Sequence, residues 1–150
     1  VNNEQTNNEQ TNTVATDSIT TALNNWLLQY EPILEIADTI HTGELGDNIN
    51  NLALQRLAVD ITQQIIGQKK MYTYALYIKS ESENDTDRTT NLDWLDDLSD
   101  WILNQNRSGN LPTFENKVCV KINCDGGLSY ITSEDGAITD YYIQIYITIR

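Results

Sequence analysis

The stretch Thr89–Asn106, TTNLDWLDDLSDWILNQN, has the clearest period in the chain and holds two of its three tryptophans. At 100° per residue, Trp94, Leu95, Leu98, Trp101 and Ile102 fall on one stripe, with Asp93, Asp96, Asp97 and Asp100 opposite. The spacing predicts an amphipathic helix capped by Thr89 or Thr90. Its acids sit in the first turns, where the helix dipole favours negative charge, and Asn106-Arg107-Ser108-Gly109 reads as the stop. Burying each apolar side chain contributes roughly 1.5–3 kcal/mol, which an isolated helix cannot collect. The helix therefore requires a sheet to lie on.

Around that helix, 150 residues with 39% hydrophobic content support one domain with one sizeable core. With 22 acids against 9 bases the net charge is −13, which argues against a direct grip on nucleic acid or an anionic membrane, since both need clustered Lys and Arg. No apolar run approaches the ~20 residues of a membrane span and no signal-peptide pattern opens the chain, so a soluble protein made in a cytoplasm is expected. Cys119 and Cys124 lie in one predicted strand, on opposite faces by parity, and read as reduced thiols.

Residues 1–16 repeat a polar pentad, Asn2-Asn3-Glu4-Gln5-Thr6 then Asn7-Asn8-Glu9-Gln10-Thr11, with too little apolar surface to form a core. They are expected to be an arm, disordered alone and ordered by contact, with a folded domain over 17–150. From Asp17, an N-cap candidate, Ile19, Leu23, Trp26, Leu27 and Tyr30 recur at helical spacing until Glu31-Pro32. Ile33–Ile40 reads as a strand, and Thr42-Gly43 with Gly46-Asp47 as a loop. Over 49–66, Ile49, Leu52, Ala53, Leu57, Ile61 and Ile65 make a helical stripe that slightly favours helix over 49–60, while Ile61, Ile65 and Ile66 lead into Gly67 and a strand. Met71–Ile78 is a β-rich run, apolar on both faces.

Ser80–Arg88 reads as an acidic loop. Lys117–Cys124 reads as a strand, and Asp125-Gly126-Gly127 and Glu134-Asp135-Gly136 as hairpin turns. The last strand, Ala137–Arg150, places Ile143, Ile145, Ile147 and Ile149 on one face and Tyr142, Gln144, Tyr146 and Thr148 on the other. Left bare at an edge it would aggregate, so it must be interior to a sheet or covered by another chain.

No constellation for catalysis is legible. His41 sits in a polar Thr-His-Thr stretch with no nucleophile near it in sequence. Gly67-Gln68-Lys69-Lys70 lacks the upstream glycine and the Ser/Thr of a phosphate loop. Asp85, Asp87, Thr89 and Asp96 match positions 1, 3, 5 and 12 of a calcium loop, but Thr90 replaces its glycine and the segment runs into a helix. Two cysteines and one histidine cannot complete a four-ligand zinc site without a carboxylate. No cofactor is expected. The like-charge pairs Asp93/Asp97 and Asp96/Asp100 each cost a few tenths of a kcal/mol, which any solvated face tolerates; the other reading is a docking ridge that meets a basic partner or repels a polyanion. Asp93, Asp96, Asp97 and Asp100, with Tyr142 and Tyr146, are the candidate interface.

Several segments in order resemble the tail terminator family, also called tail-completion or minor capsid proteins, of long-tailed phages of Gram-positive bacteria. They are Asn25-Trp26-Leu27, Ile65-Ile66-Gly67 followed by Tyr74-Ala75-Leu76-Tyr77, then Leu95, Leu98, Trp101-Ile102 and Gln105-Asn106, then Leu111-Pro112 and Tyr142-Ile143-Gln144-Ile145-Tyr146. The resemblance spans Asp17 to Arg150 and implies strands at Leu52–Leu57 and Ile61–Ile66. It implies an α+β fold, a mainly antiparallel (mixed) sheet with two amphipathic helices on one face. It also implies a virion protein without catalysis, one subunit of a typically hexameric ring. That ring caps the finished tail tube, contacts the tube protein and the head-completion proteins, and lets viral DNA through without binding it specifically. The pentad arm departs from the family's usual short start. Two other readings are a head-completion or connector protein of the neck, and, from a different class, an acidic nucleic-acid mimic that inhibits a DNA-binding protein.

Overall fold

The computed structural model describes residues 16–43, 45–46, 48–81, 84–126, 128–131 and 137–150. The order is α1 (Ile19–Leu27), α2 (Pro32–Ile36), β1 (His41–Thr42), β2 (Asn51–Gln63), β3 (Gln68–Glu81), α3 (Asp85–Ser108), β4 (Cys119–Cys124), β5 (Leu128–Ile131) and β6 (Ile138–Ile149). Six strands form one mixed sheet in the order β1-β2-β3-β6-β4, with β5 also on β6. Among the described residues, only β1, which pairs His41 and Thr42 with Ala53 and Leu54, is parallel to its neighbour. The α+β architecture is the expected one.

β6 lies inside the sheet, paired with β3 over its whole length. Its other edge is taken by β4, from Ile149 to Ile145, and then by β5, from Tyr142 to Thr139. No second chain is needed to cover it. Its register with β3 puts Tyr72, Tyr74, Leu76 and Ile78 on the same face as Ile143, Ile145, Ile147 and Ile149. That face is covered by the helices, which bury Ile19, Leu23, Trp26 and Leu27 from α1 and Leu95, Leu98 and Ile102 from α3. Where the two helices meet, Trp101 stacks at 4.7 Å from Trp26 and 5.2 Å from Tyr30, whose ring also meets Trp94 edge-on at 6.1 Å.

Several expectations are corrected. The helix over 89–106 begins earlier, at Asp85, because Asn84 caps it by accepting from the Asp87 amide at 2.9 Å. The Thr89 hydroxyl instead donates back to the Asp85 carbonyl at 2.8 Å, a mid-helix bond. So 85–88 is helix rather than acidic loop. Its stop is as read, with Gly109 left-handed at φ 76°. The first helix is capped by Ser18 rather than Asp17. Asp17 instead accepts from the Asn116 amide and side chain at 2.8 and 2.9 Å, bonds that hold its carboxyl below the usual range.

The strand expected at 33–40 is the short helix α2 and then irregular chain over 37–40, with β1 beginning only at His41. Pro32 is preset for a first helical position, and Ile33 with Ile36 turn inward at helical spacing. The helix that periodicity favours over 49–60 is strand, as the resemblance implies, and it runs as one element from 51 to 63, with a bulge at Leu57, rather than as two segments. Ile65 and Ile66 lie in the turn to β3, where Gly67 takes φ 78° and its carbonyl accepts from Gln64 at 3.1 Å. The hairpin expected at Asp125-Gly126-Gly127, of which Gly127 lies outside the described residues, does not join β4 to β5, since these strands do not pair with each other and follow one another along the same edge of β6. A bulge between Cys119 and Lys121 also overturns the parity argument for the cysteines. Cys119, Ile122 and Cys124 pair with Ile149, Ile147 and Ile145, so both thiols face the helices, and both are free. Residues 1–15, Asp47 and Glu134-Asp135-Gly136 lie outside the described residues.

Leu98 is fully buried under α3 while Asp97 beside it is exposed. Leu98→Ala should lower unfolding free energy by about 2–5 kcal/mol in urea titrations, and Asp97→Ala should stay within about 0.5 kcal/mol of the parent.

Candidate interaction surface

α3 holds its four ridge acids on the side turned from the sheet, because its apolar side is fixed by Leu95, Leu98 and Ile102. Asp93, Asp96, Asp97 and Asp100 are all exposed. Among the described residues the helix has one ion pair, Arg88 with Asp85 at 3.1 Å, and it involves none of these acids. Their field reaches the groups beneath. Burial raises the Tyr30 hydroxyl above its ordinary range and Asp97 adds to the effect. Burial likewise raises the Cys124 thiol, which donates to the Ser99 carbonyl at 3.7 Å, with Asp125 and Asp100 adding.

Tyr142 and Tyr146 belong to the other face of the sheet, beside Tyr77 and Thr73 in the β3–β6 register. The Tyr142 ring lies 5.5 Å from that of Tyr77. The Tyr146 hydroxyl donates to the Asp125 carboxylate at 2.5 Å, and this bond raises its pKa. The candidate interface is therefore two surfaces on opposite sides of the molecule, acids over the helices and tyrosines on the bare sheet. The structure does not bring them together.

On the tyrosine face an ion pair escaped the sequence. Lys79 and Asp140 are register partners, and the ammonium stands 3.1 Å from Oδ1 with side chains only 14% and 9% exposed. That oxygen has the ion-pair contact but no bond of hydrogen-bonding geometry. The turn at Ile65-Ile66-Gly67 between β2 and β3 stands where the resemblance implies it, but how far this hairpin projects beyond the core was not legible in the sequence. Ile65 and Ile66 stand at its tip, 104% and 87% exposed.

The remaining sequence candidates do not converge. His41 is exposed in β1. Asp85, Asp87, Thr89 and Asp96 are strung along one helix and cannot wrap a cation as a calcium loop does. No group of metal-ligating side chains gathers among the described residues. A cleft of about 360 Å³ between α1 and the segment after α3 is lined by Asn25, Trp26, Gln29, Asn110 and Phe114, without a titratable group among its lining residues. The Trp26 indole donates to the Asn110 carbonyl at 2.9 Å, tying α1 to that segment. No described helix is long and apolar enough to cross a membrane.

Two measurements test this geometry. Lys79→Met leaves the Asp140 carboxylate buried without its cation and should cost about 3–5 kcal/mol in urea unfolding at pH 7, while K79M/D140L should recover most of it. Burial pushes the Cys119 thiol from 9.0 up to about 11. The unfolded chain thus loses that proton first, so the stability contributed by the neutral thiol is complete below pH 9 and falls away as pH rises through 11. The alkaline fall in urea midpoint should be shallower in Cys119→Val.

No family model matches the chain. No curated protein matches it either. Among solved structures, it is similar to a chain of the virion of a native gene transfer agent particle, at TM-score 0.58 and 7% identity over 89% of this chain and 98% of that one. At that identity the likeness establishes a shared fold.

Proposed function

We propose that the protein is a structural subunit of a phage-type virion, and within it a tail terminator, one sector of a ring that closes the tail tube and receives the head-completion proteins. The observation that carries this reading is the fold shared, nearly end to end on both chains, with a component of a gene transfer agent virion. The terminator position rests on the ordered resemblance from Asn25-Trp26-Leu27 to Tyr142–Tyr146. A carboxylate-rich chain of net charge −13 suits a passage for DNA, because like charge keeps the phosphate backbone from sticking to the wall. In this reading the protein works by shape and contact rather than catalysis. It is located in the neck of the particle, and the polar arm of residues 1–16 braces neighbouring subunits.

Antibody labelling of native particles should place the chain at the head–tail junction, as one collar per particle. Assembly without it should give headless tubes that run past their proper length. Label spread along the tube, or tubes of correct length joined to heads in its absence, would refute the terminator role.

A further inference from the structure

Beyond the core, β2 and β3 continue as a two-stranded projection. Burial in β2 ends at Leu54, and Leu57, Val59, Ile61, Ile65 and Ile66 are 43, 39, 56, 104 and 87% exposed. Scattered exposed apolar residues are ordinary, but five on one projection mark an interaction surface. β2 also keeps an open edge, because β1 covers only Ala53 and Leu54. The projection inverts the charge of the molecule. From Arg56 to Lys70 it carries Arg56, Lys69 and Lys70 against Asp60, a net +2 in a chain of −13, which leaves −15 on everything else.

We infer that this hairpin is the docking element for a second copy of the chain, and that it seats on that copy's α3 ridge of Asp93, Asp96, Asp97 and Asp100. A two-fold contact of hairpin on hairpin would set one net-positive element against another and leave the acidic ridges of both copies unpaired, whereas hairpin on ridge pairs opposite charges. Charge therefore favours a contact between unlike surfaces. The acidic surface is available on the same molecule, since α3 packs over β4 and β6, across the sheet from β2. Leu92, 37% exposed and one helical turn before Asp96, offers the isoleucines of the tip an apolar seat beside the acids. Contacts between unlike patches on opposite sides of one subunit repeat head to tail, and they close into a ring where the rotation permits. The inference thus supplies the subunit contact of the collar proposed above, and it rests on that reading for closure.

The test compares the full chain with I65S/I66S and K69E/K70E by mass photometry and gel filtration, using circular dichroism to confirm folding. Ile65, Ile66 and Lys69 are solvent-exposed and Lys70 is half-buried, so I65S/I66S should fold and circular dichroism must show the parent spectrum for K69E/K70E before its assembly is read. Both should need at least tenfold more protein to assemble. D96K/D97K should show the same loss, and mixing it with K69E/K70E should restore mixed assemblies. Hairpin variants that assemble like the parent chain would overturn the inference and leave the collar reading standing. So would reversed charges that fail to rescue one another, or a ring that persists and loses only its attachment to other virion proteins. A parent chain that stays single at high concentration would overturn both.

Discussion

Everything in this fold depends on β6 having a partner along both edges. A run with isoleucine at every second position from 143 to 149 is among the stickiest a chain can expose, and unpaired backbone along it would recruit other strands. The fold meets this by placing β3 on one side and β4 followed by β5 on the other. Once that register is set, one face of the sheet is an unbroken apolar surface of Tyr72, Tyr74, Leu76 and Ile78 with the β6 isoleucines. The helices follow as a consequence. α1 and α3 each carry a stripe long enough to cover part of that surface, and the stacking of Trp26, Tyr30 and Trp101 locks them to each other as well as to the sheet.

Elements buried under constraint were the legible ones. α3 lies on the sheet along one side, so its burial imposes the helical period that Leu95, Leu98 and Ile102 display. β3 and β6 are enclosed by neighbours and show strand alternation for the same reason. Legibility failed where that constraint is absent. β2 leaves the core after Leu54, so nothing selects a period-2 pattern beyond it, and the bulge at Leu57 shifts the phase of what remains. The true start of α3 depends on one Asn84 side chain, a local bond invisible to periodicity. The Val120 bulge moves both cysteines to one face, which parity in the sequence cannot show.

The candidate surface was legible in its parts and not in its arrangement. Asp93, Asp96, Asp97 and Asp100 could be assigned to the wet side of α3 from spacing alone, and Tyr142 and Tyr146 to one face of β6. That helix layer and bare sheet face point in opposite directions follows only from which side α3 covers. Lys79 and Asp140 needed the β3–β6 register to be seen as partners, because they are far apart in sequence. The hairpin could be placed at Gly67, but its exposure could not be read, since Leu57, Val59, Ile61, Ile65 and Ile66 have the residue types of a core and only the fold reveals that no core reaches them.

Charge then decides how such an exposed apolar hairpin can be kept. A body carrying −15 repels its own copies in most orientations, and this holds indiscriminate association in check while the tip isoleucines stand in water. Lys69 and Lys70, paired with Thr62 and Ile61 beside the tip, relieve that repulsion only in approaches that lay the hairpin against carboxylates. Attraction from the apolar patch is non-directional, whereas the charge pattern is not. Their combination favours one way of meeting over the many that hydrophobic residues alone would allow.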